Sequence, residues 1–227
     1  MNVSTATARK EDPVQQQRPV IHVADHKTYL LIKRLADILL ASVGLIILSP
    51  LFLIVAICIK LEDPRGKIFF KQKRVGKNER EFYMYKFRSM LSNAEELLPS
   101  LLHKNEVSGA MFKMKNDPRV TKVGRFIRKT SIDEFPQLWN VIKGDMSLVG
   151  PRPPLPREVK EYDDYAKQRL LVTPGCTGLW QVSGRNDLGF AEMVALDLEY
   201  ISKRSVRYDL KLILKTVKVL FGDKDAF

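Results

Sequence analysis

Ile38-Leu39-Leu40-Ala41-Ser42-Val43-Gly44-Leu45-Ile46-Ile47-Leu48-Ser49-Pro50-Leu51-Phe52-Leu53-Ile54-Val55-Ala56-Ile57-Cys58-Ile59 is a run of 22 residues without a charge, 18 of them hydrophobic. As an α-helix it reaches about 33 Å, against about 30 Å for a bilayer core. A simple span is therefore the first reading. Two features favour another path. Pro50, preceded by Ser49, lies near the middle, where a proline removes a backbone hydrogen bond and kinks a helix. It leaves arms of about 12 and 10 residues, each about half a bilayer deep. Lys27, Lys33 and Arg34 precede the run, and Lys60, Arg65, Lys67, Lys71, Lys73, Arg74 and Lys77 follow it. Basic flanks mark the cytoplasmic side, and here both flanks are basic. A re-entrant helix–break–helix, dipping into one leaflet and returning to the same face, satisfies both features, although spanning helices also carry prolines. A cleaved signal peptide has an apolar region of about 7–15 residues nearer the N-terminus; with 37 residues ahead of this run, cleavage is not expected.

Outside the run the chain has a different character. The 227 residues hold 38 Lys and Arg against 26 Asp and Glu, a net charge of +12, and mean hydropathy is −0.17. That value excludes a polytopic membrane protein. Without the run, about 41% of residues are hydrophobic and about 31% charged, ordinary for a globular domain. Two cysteines, Cys58 and Cys176, exclude a disulfide scaffold, and with only three histidines they make a structural zinc site improbable.

Along the chain, residues 1–26 are expected to be a disordered tail, rich in Gln and Pro without an apolar period. Residues 27–37 read as an amphipathic lead-in helix. Residues 67–88 alternate in strand fashion around Gly76-Lys77-Asn78, which predicts a hairpin. Ser92-Asn93-Ala94-Glu95 has capping-box spacing and opens a helix near 93–103, limited by Pro99. Further helices are expected over 122–130, 133–143 (ending at Gly144), 156–170, 190–203 and 206–221. The last carries Leu210, Ile213, Leu214, Val217 and Phe221 on one stripe, with Lys211, Lys215 and Lys218 off it: an amphipathic basic helix, suited to its own domain or to a membrane surface.

The familiar phosphate and metal motifs are absent: no G-x-x-x-x-G-K-[ST], G-x-G-x-x-G or H-E-x-x-H. Asp163-Asp164 reads as solvated surface. Asp133-Glu134 stands at a helix start, held by Pro136. Capping explains one acid there, but not Arg125, Arg128 and Lys129 just upstream. A carboxylate among cations and helix N–H groups is expected to have a lowered pKa and stay ionised; it can bind Mg²⁺ or attack phosphorus. Pro151-Arg152-Pro153 fixes one guanidinium for phosphate recognition. Lys86 and Arg88 end a strand on one face. Pro174-Gly175-Cys176-Thr177-Gly178 and Ser183-Gly184-Arg185-Asn186 set amides and Arg185 in tight loops that suit an anion. Each has a bland alternative as cap, turn or solvated edge; together they describe a basic, phosphate-handling site with an acid in it.

The run from Thr130 to Val141 (TSIDEFPQLWNV), followed by Lys143-Gly144-Asp145-Met146-Ser147-Leu148-Val149-Gly150-Pro151-Arg152-Pro153, resembles the signature of bacterial sugar transferases, the monotopic small phosphoglycosyl transferases. Lys86-Phe87-Arg88-Ser89-Met90, the stretch from Pro174 to Asn186, and Leu196-Asp197-Leu198-Glu199-Tyr200 are similar to its other motifs, and the likeness covers about 27–221. The resemblance implies transfer of a sugar-1-phosphate from a UDP-sugar to undecaprenyl phosphate with release of UMP, the first step of exopolysaccharide, capsule or O-antigen assembly. It implies Asp133 as nucleophile, Glu134 completing the dyad, Mg²⁺ as cofactor, and motif positions at Lys86, Arg152, Arg185 and Asp197; with Arg88 and Arg128 these are the candidates for substrate or phosphate binding, and Asp133 is the candidate metal ligand. It also implies a re-entrant membrane helix broken at Ser49-Pro50, at the cytoplasmic face of the bacterial inner membrane. Ser89, Ile132 and Phe135 replace the Thr, Leu and Leu common in close relatives, without loss of a charge. The chain resembles the catalytic unit alone, without the extra N-terminal spans of larger members.

The expected fold is thus α+β and mostly helical: tail 1–26, lead-in and re-entrant helix 27–61, and a cytoplasmic catalytic domain 62–227 with amphipathic interfacial helices. Expected partners are the UDP-sugar, undecaprenyl phosphate and membrane lipid, whose phosphates account for the basic surplus better than nucleic acid does. A homo-oligomer and contacts with other polysaccharide-assembly proteins stay open. The sequence does not identify the sugar, with glucose and galactose expected first.

Overall fold

In the computed structural model, which describes residues 20–21, 23, 26–104, 114, 116–184 and 188–222, the uncharged run and its lead-in form one helix, α1 (Lys27–Glu62). The expected break at Ser49-Pro50 does not interrupt the helix, which continues through Pro50: a proline removes one backbone hydrogen bond without ending the turns on either side, and the Ser49 hydroxyl donates to the Ile46 carbonyl at 2.7 Å. Its apolar length and composition suffice to cross a membrane. Ile46, Ile47, Leu53, Ile54 and Ile57 are exposed, so the middle of α1 has no protein cover on these side chains.

Both ends of α1 are bonded to the domain that follows. Near the start, Lys33 donates to the Val149 carbonyl (2.9 Å) and pairs with Asp209 (2.8 Å), Arg34 donates to the Val141 and Ile142 carbonyls (2.6 and 2.7 Å), and Asp37 accepts Leu148 N–H (3.0 Å). At the far end, Glu62 accepts Lys122 and Val123 N–H (2.6 and 2.9 Å), and Asp63 pairs with Arg88.

The predicted hairpin is present. β1 (Phe69–Val75) runs antiparallel to β2 (Glu81–Phe87), with Phe70 opposite Lys86, Gln72 opposite Met84 and Arg74 opposite Phe82. Opposed residues share a face, so Gln72, Arg74 and Lys86 lie on one side. On the other, Phe87 stacks with Phe69 and meets Phe52 of α1 edge-on. The free edge of β2 is closed by a side chain: Asn140, fully buried, accepts Tyr85 N–H (3.0 Å) and donates to the Tyr83 carbonyl (2.7 Å).

After α2 (Ala94–Leu101) comes α3 (Lys122–Lys129), capped by the Thr121 hydroxyl, which accepts Gly124 N–H at 2.8 Å. The expected helix over 133–143 divides. Ile132–Glu134 is one 3₁₀ turn, and α4 (Gln137–Lys143) starts only after Pro136, whose ring leaves no N–H for a helical bond. α4 stops at Gly144, as expected, in the left-handed conformation (φ 90°). The expected 156–170 helix also breaks, into α5 (Pro156–Val159), α6 (Asp164–Lys167, capped by Asp163) and a 3₁₀ turn. Asp163 caps α6 before it can continue a helix. β3 (Ser147–Val149) and β4 (Gly175–Thr177) pair in parallel; α7 (Phe190–Lys203) and α8 (Val206–Gly222) follow.

Three apolar clusters hold these elements. Val149, Val172, Leu179, Leu198, Ile201 and Leu212 join the C-terminal elements; Ala41, Met84, Val141 and Met146 join α1, β2 and α4; Val55, Ile59, Phe87 and Ile127 join α1, β2 and α3. The architecture is mostly helical α+β, as expected. Most of the expected tail lies outside the described residues, but Ile21 and Val23 pack on the C-terminal cluster and Ile21 N–H donates to Gln168. On α8 the buried face is Asp209 and Leu212, while Leu210, Leu214 and Val217 face outward.

Candidate active site

Asp133 and Glu134 lie in the 3₁₀ turn between α3 and α4. The residue before the turn, Ser131, has φ 54°, a left-handed conformation that costs a β-carbon residue energy. This reverses the chain sharply after α3. α3 itself is seated on the strand end: a Cβ on Gly124 would stand 1.9 Å from the Ser89 carbonyl oxygen. The hairpin supplies Lys86 from below.

Lys86 Nζ lies 2.6 Å from Glu134 Oε1, and Arg152 Nη1 lies 3.8 Å from the same oxygen. On the other flank Arg128 donates its Nε to the Ser89 hydroxyl at 2.8 Å, with its charge beside Asp133. Asp133 is buried, and among the described residues no cation forms an ion pair with it within 4.0 Å.

The two adjacent acids respond oppositely. Burial, only partly offset by Lys86, pushes Asp133 up to about 6, and the Glu134 charge adds to the rise. The sequence reading expected a lowered value; desolvation, invisible in the sequence, reverses it. For Glu134 burial also raises the value, but Lys86, Arg152, the Lys86 hydrogen bond and Arg74 outweigh it and bring it down to about 2. Burial lowers Lys86 and the Glu134 charge raises it; the 2.6 Å contact makes the two an ion pair. Glu134 is thus a fixed anion among cations, and Asp133 a desolvated carboxylate next to it.

Three of the sequence-predicted cations, Lys86, Arg128 and Arg152, therefore gather around the Asp133-Glu134 pair. Arg88 does not join them. It is buried and pairs with Asp63 (3.1 Å), its guanidinium also donating to the Asp63 carbonyl (2.8 Å), so it ties the end of α1 to β2. Asp197 does not either: it is 0% exposed and pairs with Arg169 at 2.6 Å, which fits a buried anchor and leaves no surface for a phosphate. Arg185 and Asn186 lie outside the described residues. Ser49 and Pro50 lie within α1, remote in sequence from the acids.

Sequence reasoning missed Arg74 and Asn140. Strand alternation places Arg74 on the face of Lys86 once the register is known, and the register comes from the structure. Asn140 is a helix residue whose partner is a strand edge more than fifty residues away.

Among the described residues no group of three or more His, Cys, Asp or Glu is placed to hold a metal ion. Mg²⁺ needs less: one or two carboxylates, with substrate phosphate and water supplying the rest. Glu134 is engaged by Lys86, while Asp133 has an oxygen to give, so the donor set fits a shared metal–phosphate site and not a closed protein cage.

The sequence that builds this site matches known proteins. Residues 28–223 match the family described as bacterial sugar transferase. The chain is 50% identical over 196 residues to the galactosyl transferase CpsE of Streptococcus agalactiae serotype III, covering 85% of this chain and 43% of that protein. It is 44% identical over 200 residues to the undecaprenyl-phosphate galactose phosphotransferase of Salmonella typhimurium (86% and 42%). It is also 44% identical over 199 residues to the exopolysaccharide production protein ExoY of Rhizobium meliloti (86% and 88%). The chain thus spans about two-fifths of the first two relatives and most of the third. With nearly its whole length inside the match, and the acid pair and its cations brought together by the fold, this chain belongs to the bacterial sugar transferase family.

Proposed function

We propose that the chain transfers a hexose-1-phosphate from a UDP-hexose to undecaprenyl phosphate and releases UMP, the first step of exopolysaccharide, capsule or O-antigen assembly. One observation carries the reading: a buried Asp133 carboxylate, in no ion pair among the described residues, beside Glu134 fixed by Lys86 and Arg152, in a family whose named relatives include an undecaprenyl-phosphate galactose phosphotransferase. An Asp133 oxygen attacks the phosphorus that bears the sugar. The bond from that phosphorus to the bridging oxygen breaks, and its electron pair leaves with UMP. A phosphosugar ester of Asp133 remains. A phosphate oxygen of the polyprenyl acceptor then attacks the same phosphorus and restores the carboxylate. Each step is a displacement of moderate size between bulky partners that need not be bound together.

Burial makes Asp133 a better nucleophile, and at about 6 it is ionised at neutral pH. Lys86, Arg128 and Arg152 meet the charge of the diphosphate as it develops. Asp133, with the donor phosphates, would hold Mg²⁺, which would neutralise the diphosphate and improve the leaving group.

For the membrane, the bonds at both ends of α1 to one domain support a re-entrant path. A 36-residue helix that crossed a bilayer would place its ends on opposite faces, where one small domain does not reach both. The outward stripe Leu210, Leu214 and Val217, flanked by lysines, supports α8 lying in the interface. The site then opens at the cytoplasmic face of the inner membrane, level with the acceptor's phosphate.

The test is product analysis with a panel of UDP-sugars and a short-chain polyprenyl phosphate. UMP is expected; UDP as product would show a conventional glycosyltransferase instead. Asp133→Asn is expected to abolish transfer while the protein still sediments with membranes, and EDTA to stop the wild type. Full turnover in either case would remove the nucleophile or the metal from the scheme.

A further inference from the structure

Arg74 is a buried guanidinium that the transfer scheme does not use. It is 7% exposed, and among the described residues no carboxylate pairs with it within 4.0 Å. Its Nη2 donates to Gln72 Oε1 at 2.7 Å, its Nη1 to the Pro153 carbonyl at 3.0 Å, and its Nε has no partner. A buried charge without a carboxylate in direct contact is expensive, and a methionine of similar volume would avoid that cost. Its neighbour Val75 donates N–H to the Pro154 carbonyl at 2.9 Å. Two successive residues of β1 therefore grip two successive carbonyls of one loop.

That loop contains Arg152. Pro151, Pro153 and Pro154 have no N–H groups, so the loop cannot build its own ladder and depends on donors from outside. Gly175 N–H reaches the Pro151 carbonyl at 2.8 Å on the far side. Beneath the loop is a cavity of about 10 Å³, room for about one water, bordered by Arg74, Gln137, Arg152, Cys176 and Gln181. The Arg74 fork, bonded to the Pro153 carbonyl, supports the loop from this side beside the buried Met84. Arg74 also adds a positive charge beside Arg152 and Glu134.

We propose that Arg74 is the positioning residue of the Pro151-Arg152-Pro153 turn: its guanidinium holds the turn's main chain so that Arg152 stands beside Glu134 and faces the donor's phosphates. Gln72 orients the fork from the same face of the hairpin. This rests on the reading of the site as a phosphoryl-transfer centre, and Arg74 acts through Arg152 without touching substrate.

The experiment is a double-mutant cycle on the full chain in membranes, read by UMP release, with amide hydrogen exchange over 150–157 as a readout that needs no turnover. Arg74→Met is expected to lower kcat/KM for the UDP-hexose by about 10–100-fold, chiefly through KM, the scale of a hydrogen bond from a charged donor. Exchange at Arg152 and Leu155 should quicken. Arg74→Met/Arg152→Ala should fall within about threefold of Arg152→Ala alone, because the two residues act in series. Arg74→Lys keeps the charge but not the planar fork, and should recover only a minor part of the loss. Additive losses, or unchanged exchange in the turn, would overturn the assignment. If Arg74→Met does not fold, Gln72→Leu removes the fork's second acceptor and is judged by the same two criteria. A wild type that releases no UMP refutes the proposed function, whereas the exchange comparison still decides the clamp.

Discussion

At the residue scale, the proposed chemistry rests on two adjacent carboxylates that burial and neighbours treat differently. Glu134 has Lys86 at 2.6 Å and stays ionised throughout the working range. Burial pushes Asp133 up to about 6, only partly offset by Lys86, and among the described residues no cation pairs with it. In the proposed scheme Asp133 attacks as the anion, so kcat/KM is expected to rise with pH through an apparent pKa near 6 and level off above 7. A profile flat down to pH 4.5 would contradict this. Lys86 lowers Asp133 as well as holding Glu134. Lys86→Met should therefore reduce transfer at pH 7 by about 100-fold and move the acid limb to higher pH, which a pH–rate series on the variant will check.

At the element scale, the site depends on how closely α3 approaches the end of β2. Gly124 is the point of contact, since a Cβ there would lie 1.9 Å from the Ser89 carbonyl oxygen. The obstacle is backbone, which cannot swing aside as a side chain does. Gly124→Ala must lift α3, and with it Arg128. A loss of about 1–3 kcal/mol of stability is expected, typical of overpacking, together with weaker transfer. Thermal melting and UMP release measure both; a variant as stable as wild type would show that α3 has slack. The same scale explains the split of the expected 133–143 helix. Pro136 and the left-handed Ser131 set a 3₁₀ turn between α3 and α4, and that irregular turn carries the acids.

At the scale of the whole molecule, one helix is long and apolar enough to cross a membrane and is bonded to the domain at both ends. The exposed middle of α1 and the outward stripe of α8 are apolar surfaces without protein cover, while the ends of α1 are bonded to β3, α4, α3 and β2. Leu210 and Leu214 are exposed, so replacing both with glutamate leaves the folded core intact. If α8 lies in the interface, the double variant should bind anionic vesicles more weakly, by about 2 kcal/mol for each leucine no longer buried in lipid. Vesicle flotation with unchanged melting temperature is the measurement; unchanged flotation would leave α1 as the sole anchor.

The sequence alone determined whatever is written in runs and short periods. The 22-residue apolar helix, the hairpin around Gly76, the stop at Gly144, the amphipathic α8 and the acid pair with its motif all depend on neighbours close in the chain. Only the tertiary structure decided which cations reach the acids. Lys86 and Arg152 converge on Glu134 from different elements, whereas Arg88 is held by Asp63, and Asp197 by Arg169. It also decided the sign of the Asp133 shift and the role of Arg74, which meets Pro153 across 79 positions. The reason is common to all three. Desolvation and pairing depend on what packs against a side chain, and here the packing partners come from strands and turns far away in sequence.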